Sequence, residues 1–364
     1  MANLLVTGGA GFIGSNFARY WRNLYPDDGL TVIDALTYAG NRNNLNGVTD
    51  IAFIHGDIRD ESLIKAILQR DSIDTIVHFA AESHVDRSIT EPDAFIDTNV
   101  LGTHSLLKAA RSIWLETSSG LPHRFHHVST DEVYGSLGPD DPPFTELTAF
   151  APNSPYAASK AASDHLVRAY HHTYDLQVTT SNCSNNYGPY QFPEKLIPLF
   201  LLNALHGKAL PIYGDGRQVR DWLYVDDHCR GIELVISNGK SGETYNLGGG
   251  AEMTNLSVID LICSAVDAAF ARDPYLADRF PKAPAARGHK SSSLKTFVAD
   301  RLGHDRRYAI DETKVRSELG YTPSKQFAEY FDETLKWYLD NELWWKAILN
   351  GNYRNCGSSN TNSA

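Results

Sequence analysis

Short apolar runs alternate with helix-like stretches along the first two thirds of the chain. Leu4 to Thr7, Leu30 to Asp34, Ile51 to Ile54, Thr75 to Phe79, Arg124 to Ser129 and Val178 to Cys183 each read as a strand, and two of them end in turn-like residues at Gly56-Asp57 and Ala80-Ala81. Near-continuous apolar runs of this length fit strands covered on both faces, as in a parallel sheet. Between them, Ser15 to Trp21, Glu61 to Gln69 and Asp97 to Trp114 carry helical spacing. The last of these bears Val100, Leu101, Leu106, Leu107, Ala110 and Ile113, wider than one core-facing stripe. That width predicts a second buried surface, either a subunit contact or packing between the sheet and a neighbouring helix. Trp222 to Leu247 holds a helix and a strand that return to the first lobe. Phe327 to Ile348 reads as one aromatic-rich amphipathic helix, Arg272 to Lys295 as a surface loop, and Gly351 to Ala364 as a polar tail with nothing to bury.

The first strand runs directly into Gly8-x-x-Gly11-x-x-Gly14 and then a helix. Glycines suit this turn because the backbone must come close to a pyrophosphate, whose charge is met by free N–H groups at the helix N-terminus. The second strand ends in Asp34, twenty residues after Gly14, where a carboxylate can accept hydrogen bonds from an adenosine ribose. It would repel a 2′-phosphate, and no arginine follows until Arg42, so NAD is expected rather than NADP. Asp57 fits either an adenine contact or an ordinary turn.

At 364 residues the chain is one large domain or two lobes. With 44 acidic and 33 basic residues its formal charge is -11, which speaks against a general nucleic-acid or membrane-surface binder. An anionic ligand therefore needs a local basic pocket. Cys183, Cys229, Cys263 and Cys356 are far apart and form no Cys-x-x-Cys pair, so neither a metal site nor a disulfide framework is expected, and a reducing cytoplasm fits. No targeting segment or spanning helix is expected.

The densest chemistry lies between Ser129 and Lys160. Thr130, Asp131, Glu132, Tyr156 and Lys160 offer a hydroxyl, two carboxyls, a phenol and an amine. Ser154 and Pro155 predict a helix start, which places Tyr156 and Lys160 four apart on one face. A phenol ionises near about pH 10, so as a base it needs cationic neighbours; Lys160 and an oxidised nicotinamide are both expected to serve. Adjacent carboxyls on an extended strand would point apart unless a turn begins there, and Gly135 supplies one. His126 and His127 read as packing residues.

The motifs TGGAGFIG (7–14), AAESHVDRS (80–88), STDEVYG (129–135), YAASK (156–160), SNNYGPYQFPEKLIP (184–198), GRQVRDWLYVDDH (216–228) and ADRLGHDRRYAID (299–311) together resemble the extended short-chain dehydrogenase/reductase superfamily, and within it the nucleotide-sugar 4,6-dehydratases. The resemblance runs from about residue 3 to about residue 340. It implies an α/β fold: a Rossmann-type doubly wound parallel sheet with a smaller mixed α/β C-terminal substrate lobe. The NAD-binding domain would span 1–190 with 221–248 returning to it, the sugar-binding lobe 191–220 and 249–345, and a flexible tail 350–364.

It further implies catalysis by Thr130, Asp131, Glu132, Tyr156 and Lys160. NAD would be held by Gly8, Gly11, Phe12, Ile13, Gly14, Asp34, Leu36, Thr37, Asp57, Ile58, Phe79, Ala80, Ala81, Ser83, Thr98 and Asn186, with Tyr156 and Lys160. Ser83, Thr130, Asn185, Glu194, Lys195, Leu196, Pro211, Tyr213, Arg220, Asn255, Asp300, Arg301 and His304 would bind a nucleotide-diphosphate sugar, expected to be dTDP-glucose, in a homodimeric cytoplasmic enzyme. Leu302 stands where the family pattern has Pro, and dTDP and UDP both remain open. A 4-epimerase needs only oxidation and ring rotation and has no use for Asp131 beside Glu132. A catalytically silent NAD-binding regulator would have no need to keep any of them. In the family, relatives acting on mannose or glucuronate carry Ser at the position of Asp131.

Overall fold

The computed structural model describes residues 1–117, 121–300 and 303–357. Among the described residues twelve strands are formed: β1 (Asn3–Thr7), β2 (Gly29–Asp34), β3 (Ala52–His55), β4 (Thr75–His78), β5 (Arg124–Thr130), β6 (Val178–Cys183), β7 (Asn185–Tyr187), β8 (Leu210–Tyr213), β9 (Val219–Tyr224), β10 (Thr244–Leu247), β11 (Glu252–Thr254) and β12 (Lys295–Val298). Seven make one sheet in the order β10-β6-β5-β4-β1-β2-β3, every pair parallel. The period-two alternation of β1 serves both faces of it. Leu4 and Val6 pack with Phe17, Trp21 and Ile232 on one side, while Leu5 packs with Ile64, Leu68, Leu106 and Val167 on the other. Both faces are therefore covered by helices, which is why Leu4-Leu5-Val6 of β1 is apolar without a break.

The chain leaves β1 towards β2 and β3, then crosses back to place β4 on the opposite edge of β1. That reversal opens a crevice at the carboxyl ends of β1 and β4, where doubly wound sheets bind ligands. The two loops come together closely: a Cβ on Gly8 would stand 2.6 Å from the Ala80 backbone nitrogen.

The second lobe holds a three-stranded sheet, β11-β9-β7, and the β8–β12 pair. Its core is aromatic, with Tyr187, Trp222, Tyr224, Phe327, Phe331, Tyr338 and Trp345 in one cluster. β9 belongs to this lobe, so the returning segment reaches the large sheet only with the helix Val225–Asn238 and β10.

Four expectations need correction. The stretch 327–348 is two helices, Phe327–Asp340 and Glu342–Leu349, because Asn341 leaves the helical conformation at φ -110 and ψ 42, where its side-chain amide caps the Trp337 carbonyl at 2.9 Å. The helix expected over 97–114 runs as π turns at Ile96–Gly102 and Arg111–Thr117 around an α segment, Thr103–Ala110. Leu106, Leu107, Ala110 and Ile113 enter the core, whereas Leu101 stays 51% exposed, so the wide apolar surface is only partly used within the chain. The 272–295 stretch is no plain surface loop: it contains the short helix Leu276–Arg279, and Leu276, Phe280 and Ala283 are buried in the second lobe. The tail also buries something. Asn352–Gly357 forms a 3-10 turn in which Tyr353 is buried, donates its hydroxyl to the Tyr38 carbonyl and packs edge-on against Phe192.

Candidate active site

A cavity of about 350 Å³ follows the crevice from the glycine turn to the end of β5. At its inner end the turn is as tight as a close-approaching ligand requires. A Cβ on Gly14 would lie 2.4 Å from the Gly8 carbonyl oxygen, and Gly8 itself has φ +67. Asp34 is buried at the end of β2, where its two oxygens accept the N–H groups of Ala10 at 2.9 Å and Leu36 at 2.8 Å. Burial raises its pKa and those two N–H groups oppose the rise. The carboxyl is thus oriented by the backbone with lone pairs left for ribose hydroxyls. The next two arginines after Asp34 in the sequence are engaged elsewhere: Arg42 stacks over Phe53 at 4.8 Å and Arg59 grips Asp57 at 2.7 Å. Nothing in this cradle answers a 2′-phosphate, and the residues present fit NAD.

The cavity brings together nearly all the expected cofactor residues, Leu36 excepted, whose role is the N–H given to Asp34. It adds Tyr38, Glu82, Cys183 and Phe192, which the motifs did not single out. Tyr38 lies under the Arg87 guanidinium at 4.1 Å and packs edge-on to Phe192. Tyr38, Glu82 and Phe192 are loop residues with no periodic signal, Cys183 ends β6, and only packing brings them to the cavity.

At the other end, β5 stops at Thr130, which caps a 3-10 turn over Asp131–Tyr134 by accepting the Glu132 N–H at 3.3 Å. Gly135 closes that turn at φ +95, where a Cβ would meet the Ala151 carbonyl oxygen at 2.5 Å. The expected turn thus exists, and it separates the environments of two adjacent carboxyls. Asp131 is 2% exposed, 3.3 Å from the Thr130 hydroxyl through Oδ1, and its Oδ2 has no hydrogen-bond partner among the described residues. Glu132 is only partly buried. Burial first, then the charges of Glu132 and Asp221, hold Asp131 far above the usual carboxylate range, with Arg220 and Thr130 pulling the other way.

Ser154 caps the helix Pro155–Tyr174 by accepting the Ala157 N–H at 3.1 Å, and Pro155 takes its first turn, as expected. Tyr156 is buried, and its phenol is pushed well above its ordinary value by burial and then by Glu132, Cys183 and Asp131; a hydrogen bond with Thr130 opposes them. Lys160, expected to support the phenolate, follows one turn along the same helix face. The ammonium donates to the Val128 carbonyl at 2.8 Å, and its own pKa is depressed by burial against the charge of Asp164. Burial is the largest influence on the phenol.

The expected substrate residues divide into two groups. Ser83, Thr130, Asn185 and Lys195 line the cavity, as does Asn186, which bonds His228 at 2.9 Å. Lys195 donates to the Ser83 carbonyl at 3.3 Å and precedes the helix Leu196–His206. Glu194, Leu196, Pro211, Tyr213, Arg220, Asn255, Asp300 and His304 do not line it. Tyr213 on β8 is 42% exposed and edge-on to His304, whose Nδ1 is 2.6 Å from Asp300. Arg220 is buried, donates to the Asp305 carbonyl at 2.9 Å and stacks over Tyr308 at 4.2 Å, with its charge felt at Asp131. Asn255 opens the helix Asn255–Arg272. Arg301 and Leu302 lie outside the described residues. His126 and His127 are fully buried, and His126 bonds Thr179 and Ser181. Among the described residues no cluster of three His, Cys, Asp or Glu side chains could hold a metal, and no helix is long and apolar enough to cross a membrane.

A glycine cradle at the switch point of a parallel sheet, a Tyr-x-x-x-Lys pair on one helix face and a carboxyl pair at the end of β5 define an enzyme of the extended short-chain dehydrogenase/reductase class. A family model described as GDP-mannose 4,6 dehydratase matches residues 5–334, and the chain belongs to this family of nucleotide-sugar 4,6-dehydratases. It is 52% identical over 361 residues to a dTDP-glucose 4,6-dehydratase of Xanthomonas campestris pv. campestris, covering 97% of this chain and 98% of the relative. It is 50% identical over 364 residues to dTDP-glucose 4,6-dehydratase 1 of Escherichia coli K12, covering 96% of both. A crystal structure of the Streptomyces venezuelae dTDP-glucose 4,6-dehydratase DesIV, solved with NAD bound, superposes with a TM-score of 0.83 at 48% identity, covering 95% of this chain and 99% of that one.

Proposed function

We propose that this chain is an NAD-dependent hydro-lyase that converts dTDP-glucose to dTDP-4-keto-6-deoxyglucose. The observation that carries the reading is the carboxyl pair: Asp131 buried, its pKa pushed up by burial, beside a partly buried Glu132, both in one cavity with Thr130, Tyr156 and the dinucleotide cradle. An epimerase needs no such acid beside a base. The nucleotide is assigned from the relatives, which are named for dTDP-glucose.

Bound NAD supplies a hydride acceptor for carbon 4 of the sugar and the hydride later delivered to carbon 6. Tyr156 takes the proton of the 4-hydroxyl, which Thr130 orients through its bond to the phenol. A ketone at carbon 4 makes the carbon 5 proton removable, because the charge left behind is an enolate. Glu132 takes that proton, Asp131 gives its own to the departing 6-hydroxyl, which leaves as water, and Glu132 returns its proton to carbon 5 when carbon 6 receives the hydride. Two carboxyls in different environments can hold these opposite protonation states. Each turnover leaves Tyr156 with a proton gained and Asp131 with one lost. The Thr130 hydroxyl, bonded to the phenol and 3.3 Å from Asp131, links the two and offers the return route.

Incubation with dTDP-glucose should give a product lighter by one water; an isomer of unchanged mass would refute the reading. We also infer a cytoplasmic location and a homodimer, the latter supported by Ile89 on the short helix Val85–Thr90 and by Ile96 and Leu101 on Ile96–Gly102, at 40, 47 and 51% exposure. A chain sedimenting as a monomer would remove that inference.

A further inference from the structure

The buried face of the Pro155–Tyr174 helix continues past Lys160. Asp164 follows Lys160 at the spacing by which Lys160 follows Tyr156, so the three share one face, and Asp164 is only 6% exposed. A carboxylate buried there needs groups to share its charge. β5 provides them with three consecutive residues. Ser129 donates its hydroxyl to one oxygen of Asp164 at 2.9 Å, and His127 Nε2 lies 3.1 Å from the other, though out of line for a hydrogen bond. Between them the Val128 carbonyl accepts the Lys160 ammonium at 2.8 Å. The strand therefore holds the lysine and the carboxylate side by side, and Asp164 does not line the cavity.

We propose that Asp164 is a positioning residue: it is the counter-charge that keeps Lys160 an ammonium behind Tyr156, and it thereby sets the pH at which the phenol can act as a base. This rests on the roles given above to Tyr156 and Lys160. Burial lowers the pKa of Lys160, and the negative charge of Asp164 is the first force against it. Burial likewise lifts Asp164 to about 7, opposed by Lys160, the Ser129 hydroxyl and His165. The other groups facing the pair are His127 on β5, with His78 of β4 5.2 Å from its ring, Cys183 on β6 and Tyr134 in the 3-10 turn. Burial keeps both histidines neutral, so neither replaces the missing charge.

The test is Asp164→Asn in the NAD-loaded enzyme, reading the first hydride transfer to nicotinamide as a function of pH. Asparagine keeps the Ser129 bond and removes only the charge. Without that charge Lys160 loses its proton more easily and the phenolate loses support. The acid-side limb should move up by about one pH unit, a neutral-pH rate about tenfold lower that recovers at alkaline pH, with retained NAD unchanged. Ser129→Ala leaves the carboxylate but removes the bond favouring its charged form, and should move the limb the same way by less. An unmoved limb in both variants, or a loss equal at every pH, overturns the proposal; if Asp164→Asn does not fold, Ser129→Ala alone decides by the same criterion. Hydride transfer is read apart from water loss, so this result stands whether or not the product is lighter by one water.

Discussion

Replacing Asp131 by Asn tests the division of labour between the two carboxyls. Asp131 is buried with its pKa pushed up by that burial, and an amide is close to a carboxylic acid in size and shape, so the Thr130 contact at 3.3 Å and the surrounding packing should survive. What disappears is a proton that can be transferred. Positioned general acids contribute about 10²–10⁴ in rate. At 1.36 kcal/mol per tenfold this amounts to about 3–5 kcal/mol on the elimination barrier alone. The first hydride transfer depends on Tyr156 and Thr130 and should stay within about threefold, well under 1 kcal/mol. Mixing the variant with dTDP-glucose should therefore give a rise in near-ultraviolet absorbance as reduced nicotinamide accumulates to one equivalent per site, while the dehydrated product forms slowly. The outcome also reports the resting charge of Asp131. Its negative charge is among the influences that raise Tyr156, so if it rested ionised, the amide would change the oxidation step as well. Equal slowing of hydride transfer and water loss, or no accumulation with near-normal product formation, would refute the assignment.

Two other outcomes are expected. A carboxyl whose folded pKa is raised makes the folded state bind a proton that the unfolded chain has released above about pH 4, so its stabilising contribution is present below that pH and is lost as pH rises towards the folded value. Asp131→Asn should therefore melt near wild type at about pH 4 and above it at neutral and alkaline pH; a Tm difference that does not grow with pH would show that the folded acid is not protonated. Tyr353→Ala removes the ring that packs on Phe192 and bonds the Tyr38 carbonyl, both on residues that line the cavity. Loss of a buried aromatic anchor costs about 3–5 kcal/mol of local packing, and part of that should appear as faster NAD release at nearly unchanged kcat under saturating NAD; retention equal to wild type by gel filtration would remove the tail from the cofactor site.

Much of the site is written locally. Gly8, Gly11 and Gly14 encode a turn through their own backbone freedom, and their distance to Asp34 encodes a strand–helix–strand unit. Ser154-Pro155 encodes a helix start that sets Tyr156 and Lys160 on one face. Gly135 marks a turn after the strand that carries Thr130, Asp131 and Glu132. Such features depend on φ, ψ and short-range hydrogen bonds, which neighbouring residues determine.

Burial and charge do not follow from neighbours. Asp131 and Glu132 are adjacent in sequence and look alike there, yet only the packed structure makes one a buried acid and leaves the other partly open. Lys160 spaced four from Tyr156 suggested a cation lowering the phenol; the fold turns its ammonium to Val128 and adds Asp164 behind it. Arg220, read as a pyrophosphate contact, is buried against Tyr308 with its charge felt at Asp131. Tyr353, in a stretch that looked unable to bury anything, reaches a loop more than three hundred residues away. Desolvation and Coulomb energy depend on every group within several ångströms, and in a sheet ordered β3-β2-β1-β4-β5-β6-β10 those groups come from distant parts of the chain.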